Sequence, residues 1–535
     1  MRESRLDRKR LGDNFCRPVP RLFTIVALAL SITLTACDSQ VPRFQVEEAT
    51  IASVQAALRA GSLTCRQLVA AYLERIDTYD DTSGLNAIIL VNARALERAA
   101  ALDEEWTRTA AMRPLHCVPM IVKDNYDTAD LPTTAGSVAL AGSIPPDDAY
   151  MVRVLRDAGA IVLAKSNMAE WAFTPHSSIS SVGGTTRNAY DLDRVPAGSS
   201  GGTASAVAAN FGLVGLGTDT GNSIRGPAAY ANLVGIRSTI GATSRDGIVP
   251  LYLNRDIGGP MTRTVEDAAR IFAVIAGYDP ADPVTEAIRV RPPVAYLDAL
   301  DADGLAGVRI GVLRSLIDTP GADPEVQALM ENALADMVAR GSVLIDPIEI
   351  PLLDTLRDAA IWCNTFRHDL DAYLARRDGA PVRTLTDIVT ADLFDPTAEE
   401  RLRSALAIAE APEEQDPPCV DVEGDPRRSA LRDAVLAAMA AANVTAMVYP
   451  AWSTPPRRVG DYETPAPNIN SARIAPHTGQ PAIVVPMGVT SGNLPAGLEI
   501  VGRPFDEVEL FQIAYAYEQA THHRQPPPLF PALAE

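Results

Sequence analysis

Apolar residues recur at helical spacing near the start of the chain and then settle into short runs separated by helical stretches. Ile51, Val54 and Leu58 share one helix face that stops at Gly61. Thr64 with Gln67 three residues on has the pattern of a capping box, ahead of Leu68, Val69, Tyr72, Leu73 and Ile76 on one face. The apolar run 87–91 predicts a strand and 93–106 a helix. From Leu115 the alternation becomes regular: a strand over 119–122 ending at Lys123-Asp124-Asn125, a helix over 149–158 stopped by Gly159, and a strand over 160–164 ending at Lys165. Strands alternating with helices imply an α/β architecture whose sheet is buried on both faces, with chemistry at the carboxyl ends of strands.

After Pro280 the pattern changes. Residues 308–313 predict a strand, 324–339 a helix and 344–350 another strand. Residues 352–440 read as helical and highly charged, broken by an acidic, proline-containing loop over 410–425, and form an elaboration that would lid or wall a site. Strands return at 446–449 and 482–486, and 507–520 predicts a closing amphipathic helix. The expected organisation is a signal segment over 1–36, a tether over 37–48 and one domain over 49–535. Within that domain lie core motifs at 115–280, the variable elaboration at about 290–440 and a return to the core at about 441–520.

The first 37 residues form a pattern of their own. Basic residues from Arg2 to Arg21 precede an apolar stretch, 22–34, that is too short to span a bilayer and suits a secretory signal. Leu34-Thr35-Ala36-Cys37 follows and resembles the lipobox of bacterial lipoproteins. That resemblance implies that Cys37 becomes the lipidated first residue of a protein in the bacterial cell envelope; an ordinary signal peptide or an uncleaved anchor are the alternatives. Residues 1–36 carry seven basic and three acidic side chains, so removing them takes the formal charge from −20 to −24. An acidic surface repels nucleic acid and anionic headgroups, so membrane contact is expected through the lipid.

Composition sharpens two candidate residue types. Of 47 basic residues three are lysines, Lys9, Lys123 and Lys165; base composition of the genome accounts for such a bias, yet it leaves two lysines in the mature chain, both at predicted strand ends. Cys65, Cys117, Cys363 and Cys419 show no metal-ligand spacing. Cys363 with Cys419 is a candidate disulfide, with buried free thiols as the alternative.

The stretch from Gly198 to Arg225 carries the candidate chemistry. Gly198-Ser199-Ser200-Gly201-Gly202 precedes an Ala-rich helix, a strand over 213–217 and Asp219-Thr220-Gly221-Asn222-Ser223-Ile224-Arg225. Ser223 falls between that strand and a helix beginning near Ile224 with Pro227 in its first turn, where exposed amides can stabilise an anion. A serine nucleophile needs a base, and none of the six histidines, His116, His176, His368, His477, His522 and His523, lies in the stretch. A buried lysine can serve as a neutral amine, and Lys123 at the end of an apolar strand is placed for it. Read locally, Ser223 is equally a capping serine in a tight turn and Lys123 an ion-pair partner of Asp124.

Together these pieces resemble the amidase signature family, which includes peptide amidases, fatty acid amide hydrolases and the A subunit of the glutamine-dependent tRNA amidotransferase. The likeness runs through Leu115-His116-Cys117-Val118-Pro119, Val122-Lys123-Asp124, Thr133-Thr134-Ala135-Gly136-Ser137, Lys165-Ser166-Asn167-Met168, Gly198 to Gly202 and Gly217 to Arg225, and resumes at Pro481, Pro486, Gly488, Gly497, Gly502 and Phe505 to Glu507. It implies a mixed β-sheet covered by helices on both faces and hydrolysis of a carboxylic amide through an acyl-serine, without metal or organic cofactor. In that pattern Lys123 is the base, Ser199 a bridging serine entered through a cis peptide and Ser223 the nucleophile. Amides of Thr220, Gly221, Asn222 and Ser223 would form the oxyanion hole, and Lys165 would support the core. The substrate would be a small-molecule or peptide amide; the rival readings are an amidotransferase-type subunit feeding ammonia to a partner and a non-catalytic envelope lipoprotein. The sequence departs from the pattern at Cys117 and Asn222, where glycine is usual, and at Arg237-Ser238, where Lys-Pro is frequent. His176-Ser177-Ser178 is a candidate pocket wall.

Overall fold

The computed structural model describes residues 44–360, 363–420, 424–461 and 469–533. The signal segment, Cys37 and the start of the tether lie outside the described residues. From Phe44 onward the chain forms one compact unit.

Thirteen strands occur among the described residues: β1 Ile88–Val91, β2 Val118–Lys123, β3 Ala160–Ser166, β4 Ile179–Ser180, β5 Gly184–Thr185, β6 Val214–Asp219, β7 Val234–Arg237, β8 Ile257–Thr262, β9 Arg309–Val312, β10 Val343–Ile345, β11 Ala446–Pro450, β12 Ala482–Val489 and β13 Pro495–Val501. β4 and β5 make a small hairpin; the other eleven form one mixed sheet in the order β1-β3-β2-β6-β8-β7-β12-β13-β11-β9-β10. β3, β2 and β6 run parallel, and β6, β8, β7, β12, β13 and β11 alternate in direction. β2, β3, β6, β7, β8, β11 and β13 are buried along their whole length, so the sheet is covered on both faces by helices.

These pairings fix one edge of the sheet. β2 ends there at Lys123, β6 at Asp219 and β7 at Arg237, while β8 and β12 start there at Ile257 and Ala482. Register puts Asp219 opposite Ile257 and Arg237 opposite Ala482. The early helices follow the pattern: Ile51–Arg59, then Cys65–Ser83 with both halves of the Thr64–Gln67 capping box formed. The helix Pro324–Ala339 matches its expected bounds.

Two expectations are corrected. The strand expected over 344–350 is β10, Val343–Ile345, since Pro347 has no amide hydrogen to continue the ladder. The cysteines left open between thiols and bridges form two disulfides, Cys65–Cys117 and Cys363–Cys419. Cys117 stands where the resembled pattern has glycine, and it adopts a left-handed φ of 66°.

The elaboration supplies the helices Leu353–Ala359, Phe366–Ala375, Leu385–Thr390, Glu399–Leu406 and Pro426–Ala441. Phe366, Leu370, Leu374, Leu385, Ile388 and Leu402 pack on Met168, Trp171, Phe173 and Leu251 as a satellite core beside the main one. Tyr373 Oη donates to Asp127 Oδ1 at 2.6 Å and Arg377 to the Ser143 carbonyl, tying this layer to the loops that leave β2.

Candidate active site

Two buried lysines leave the neighbouring strands β2 and β3, and their partners separate them. Lys165 Nζ donates to the carbonyl of Tyr126 at 2.8 Å and to Thr133 Oγ1 at 2.9 Å, and lies 3.3 Å from Asp124 Oδ1. A carboxylate and fixed acceptors are the surroundings of a structural ammonium. Asp124 is thus the ion-pair partner of Lys165 and not of its sequence neighbour Lys123.

Lys123 Nζ lies 2.6 Å from Ser199 Oγ and 2.7 Å from Thr218 Oγ1. Both partners are hydroxyls, which can donate to a neutral amine as readily as accept from an ammonium. Burial lowers its pKa from 10.5 to about 7, against the pull of Asp219 and Asp256, which favour the charged form. A pKa lowered this far lets the free amine be populated near neutral pH.

Ser199 belongs to the loop before the helix Gly201–Ala208, and the peptide bond Gly198–Ser199 is cis. The loop is held on several sides. The Ser199 carbonyl accepts from Ala169 N at 3.0 Å, Ser178 Oγ donates to the Ala197 carbonyl at 3.1 Å and accepts from Gly201 N at 3.0 Å, and Ser200 Oγ donates to the Thr218 carbonyl. A Cβ on Gly198 would come within 2.2 Å of the Ser177 carbonyl oxygen, which is why glycine stands there. Ser177 and Ser178 are buried against this loop, whereas the half-buried His176 ring faces Trp452 at 6.2 Å. Burial lowers the His176 pKa to about 4, helped by Arg457 and Arg401, so the ring is neutral at pH 7.

Ser223 lies between β6 and the helix Arg225–Tyr230. The amides of Thr220, Gly221, Asn222 and Ser223 have no acceptor among the described residues, so four backbone donors are grouped on one turn. Asp219 anchors that turn from beneath, accepting from Ile224 N at 3.2 Å and from Arg225 Nε at 3.1 Å. Burial pushes its carboxyl up, but Arg225 and Arg237 outweigh this and hold it at about 2. Arg225 returns to the turn through Nη2, which donates to the Gly221 carbonyl at 2.9 Å, and reaches the Ser471 carbonyl and the buried Glu499 through Nη1. Thr220 Oγ1 donates to Asp256, whose other oxygen accepts from Leu251 N and Tyr252 N. Asn222 is buried; its Nδ2 has no hydrogen-bond partner among the described residues and lies where a Cβ on Gly226 would be 2.5 Å away.

Lys123 and Ser199 are thus joined directly, and Ser223 sits on the same sheet edge. No hydrogen bond links Ser199 to Ser223 among the described residues, and such contacts commonly tighten when substrate binds. Sequence reasoning missed Thr218, Asp256 and Glu499. Thr218 could have been found, since it lies in the strand that leads to Ser223; Asp256 and Glu499 come from distant segments and carry no local signal. Among the described residues no group of three or more His, Cys, Asp or Glu side chains is placed to hold a metal ion.

A profile of the amidase family matches residues 67–511. A probable amidase of Arabidopsis thaliana is 33% identical over 502 residues, covering 90% of this chain and 92% of that protein. The A subunit of the glutamyl-tRNA(Gln) amidotransferase of Moorella thermoacetica is 34% identical over 500 residues, covering 88% and 96%. The crystal structure of the native peptide amidase of Stenotrophomonas maltophilia matches with a TM-score of 0.80 at 38% identity, covering 90% of this chain and 99% of that one.

Proposed function

The chain belongs to the amidase family and is a hydrolase of amide C–N bonds; from that membership we propose that Ser223 attacks the amide carbonyl, with Ser199 and Lys123 as its proton path. The observation that carries this reading is the Lys123–Ser199 contact of 2.6 Å around a lysine whose pKa is near 7. Neutral Lys123 takes the proton of Ser199, which takes that of Ser223 as its oxygen bonds to the carbonyl carbon. The grouped amides of Thr220 to Ser223 receive the oxyanion. When the C–N bond breaks, the proton returns by the same path to the leaving amine, leaving an acyl ester on Ser223. Water attacks that ester, and the acid is released.

The test is Ser223→Ala and Lys123→Ala, followed by amine or ammonia release from aryl, alkyl and peptide C-terminal amides. Loss of roughly 10⁴-fold or more for Ser223→Ala and roughly 10²- to 10⁴-fold for Lys123→Ala is expected in folded protein. Undiminished release by either folded variant would remove that residue from the chemistry. The likeness to amidotransferase A subunits supports a second reading, ammonia production from glutamine for a partner; it requires glutamine as substrate and copurification of further subunits.

We further propose that the protein is exported to a bacterial cell envelope and anchored by a lipid on Cys37. The order of basic, apolar and small residues before Cys37 supports this, as do two disulfides in the catalytic unit, which belong to oxidising compartments.

A further inference from the structure

Beyond the nucleophile turn, on the same edge of the sheet, lies a group of buried cations that the proposed reaction does not use. Arg428 stands in the first turn of the helix Pro426–Ala441 and is 6% exposed. Its Nη1 donates to the Asn254 carbonyl, while its Nε and Nη2 are buried without a hydrogen-bond partner among the described residues. Nη2 rests over Gly479, where a Cβ would be 2.9 Å away. Arg428 forms no ion pair with a described residue, and Asp425 at the start of the same helix is engaged by Arg427 at 3.0 Å. His477, two residues before Gly479, has a buried Nδ1 without a partner among the described residues.

Its charged neighbours include Arg255 and Arg237, the latter ion-paired with Asp219 at 3.0 Å. Burial, with Arg255 and Arg237 close by, lowers the Arg428 pKa to about 9, and burial with Arg255 and other guanidinium groups lowers His477 to about 2. Arg237 Nη2 donates to the Arg255 carbonyl at 2.8 Å, and its own Nε is a further buried donor without a partner among the described residues. A desolvated guanidinium with spare N–H groups, such as that of Arg428, is destabilising unless an anion joins it. A guanidinium fork with free Nε and Nη2 presents the two parallel donors that a planar carboxylate accepts.

The cluster also touches the machinery of the turn. Arg237 Nη1 donates to the Asp219 carbonyl at 2.6 Å, and Asp256, next to Arg255, holds Thr220. We infer that Arg428, with Arg237 and His477, forms a binding site for a small oxyanion, and that its ligand is a carboxylate carried by the amide substrate, away from the bond that is cut. The substrate half of this inference rests on the amidase reading; the oxyanion half does not.

The test pairs ω-carboxyalkyl amides with uncharged alkyl amides of equal length in the full chain and in Arg428→Met. Acetate and phosphate are titrated separately against the melting temperature at constant ionic strength. The expected result is a kcat/KM ratio favouring the carboxylate substrate by about tenfold, the worth of one good charge-assisted contact, which falls to near one in Arg428→Met. Acetate should raise the melting temperature of the unmodified protein and leave that of Arg428→Met unmoved. An acetate-dependent shift lost in Arg428→Met, without substrate preference, keeps the oxyanion site and assigns it to a free anion. If Arg428→Met does not fold, Arg428→Lys keeps the charge without the fork and should reduce both effects. Absence of both effects in the unmodified protein, or their survival in the variant, overturns the inference. Failure of the amidase reading would look different: no amide hydrolysed, with the acetate shift retained.

Discussion

At the scale of residues, the choice between Lys123 and Lys165 turns on what each nitrogen touches. Successive residues of a strand point to opposite faces, so Asp124 turns away from Lys123 and reaches Lys165 from the adjacent strand. The sequence placed both lysines at strand ends and singled out Lys123, but adjacency in sequence pointed Asp124 at the wrong one. The pKa of about 7 at Lys123 makes pH a direct probe. If neutral Lys123 is the base, kcat/KM should rise tenfold per unit below pH 7 and level off above it. Stability should move in the same direction. Because the folded pKa lies below the unfolded value near 10.5, the unfolded chain binds the extra proton between pH 7 and 10.5. The Lys123 contribution therefore improves as pH rises across that window and is lost as pH falls to 7. A rate profile flat from pH 5 to 9 would remove Lys123 as the titrating base.

At the scale of elements, the turn that carries Ser223 is set by segments far apart in the chain. Asp219 and Arg225 flank it, but Arg225 is aimed by Glu499 on β13 and by the Ser471 carbonyl. On the proposed mechanism Glu499 would be a positioning residue, acting on the amides of the turn through Arg225 and Gly221. Glu499→Leu should lower kcat by roughly 10- to 100-fold with little change in KM, since small misplacements of catalytic groups carry costs of this order. Glu499→Gln, which keeps an acceptor for Arg225, should recover most of the loss. Equal rises in KM with kcat unchanged would instead mark Glu499 as a substrate contact. This link was illegible in the sequence because β8 and β13 do not look like strands. β8 reads Ile257-Gly258-Gly259-Pro260, a turn-like string, yet its glycines serve close packing: a Cβ on Gly258 would be 2.3 Å from Tyr126 Oη, which itself donates to the Gly217 carbonyl at 2.6 Å. Helices with strong periodicity and caps were legible nearly to their ends, because those signals are local.

At the scale of the whole molecule, the two disulfides and the segment before Cys37 bear on where the protein works. Cys65–Cys117 ties the helix Cys65–Ser83 to the start of β2, and Cys363–Cys419 closes the segment that holds the helices Phe366–Ala375, Leu385–Thr390 and Glu399–Leu406. The sequence offered Cys363 with Cys419 but read Cys117 as a departure from glycine, since a partner 52 residues away leaves no local trace. Each bridge is worth about 2–4 kcal/mol by restricting the unfolded chain, so Cys363→Ser with Cys419→Ser should lower the melting temperature measurably and loosen the layer that packs on Phe173 and Leu251 first. A protein that depends on such bridges gains from export, and a net charge of −20 opposes binding to anionic headgroups. No helix of the described residues is long and apolar enough to cross a bilayer; the proposed export reading assigns attachment to Cys37. A single acyl chain holds a protein only marginally, whereas two or more anchor it stably. Expressed in a bacterium fed a labelled fatty acid, the full chain should take up label and sediment with membranes, while Cys37→Ala should do neither and keep its amidase activity in the soluble fraction. Label retained by Cys37→Ala would exclude that cysteine as the anchor.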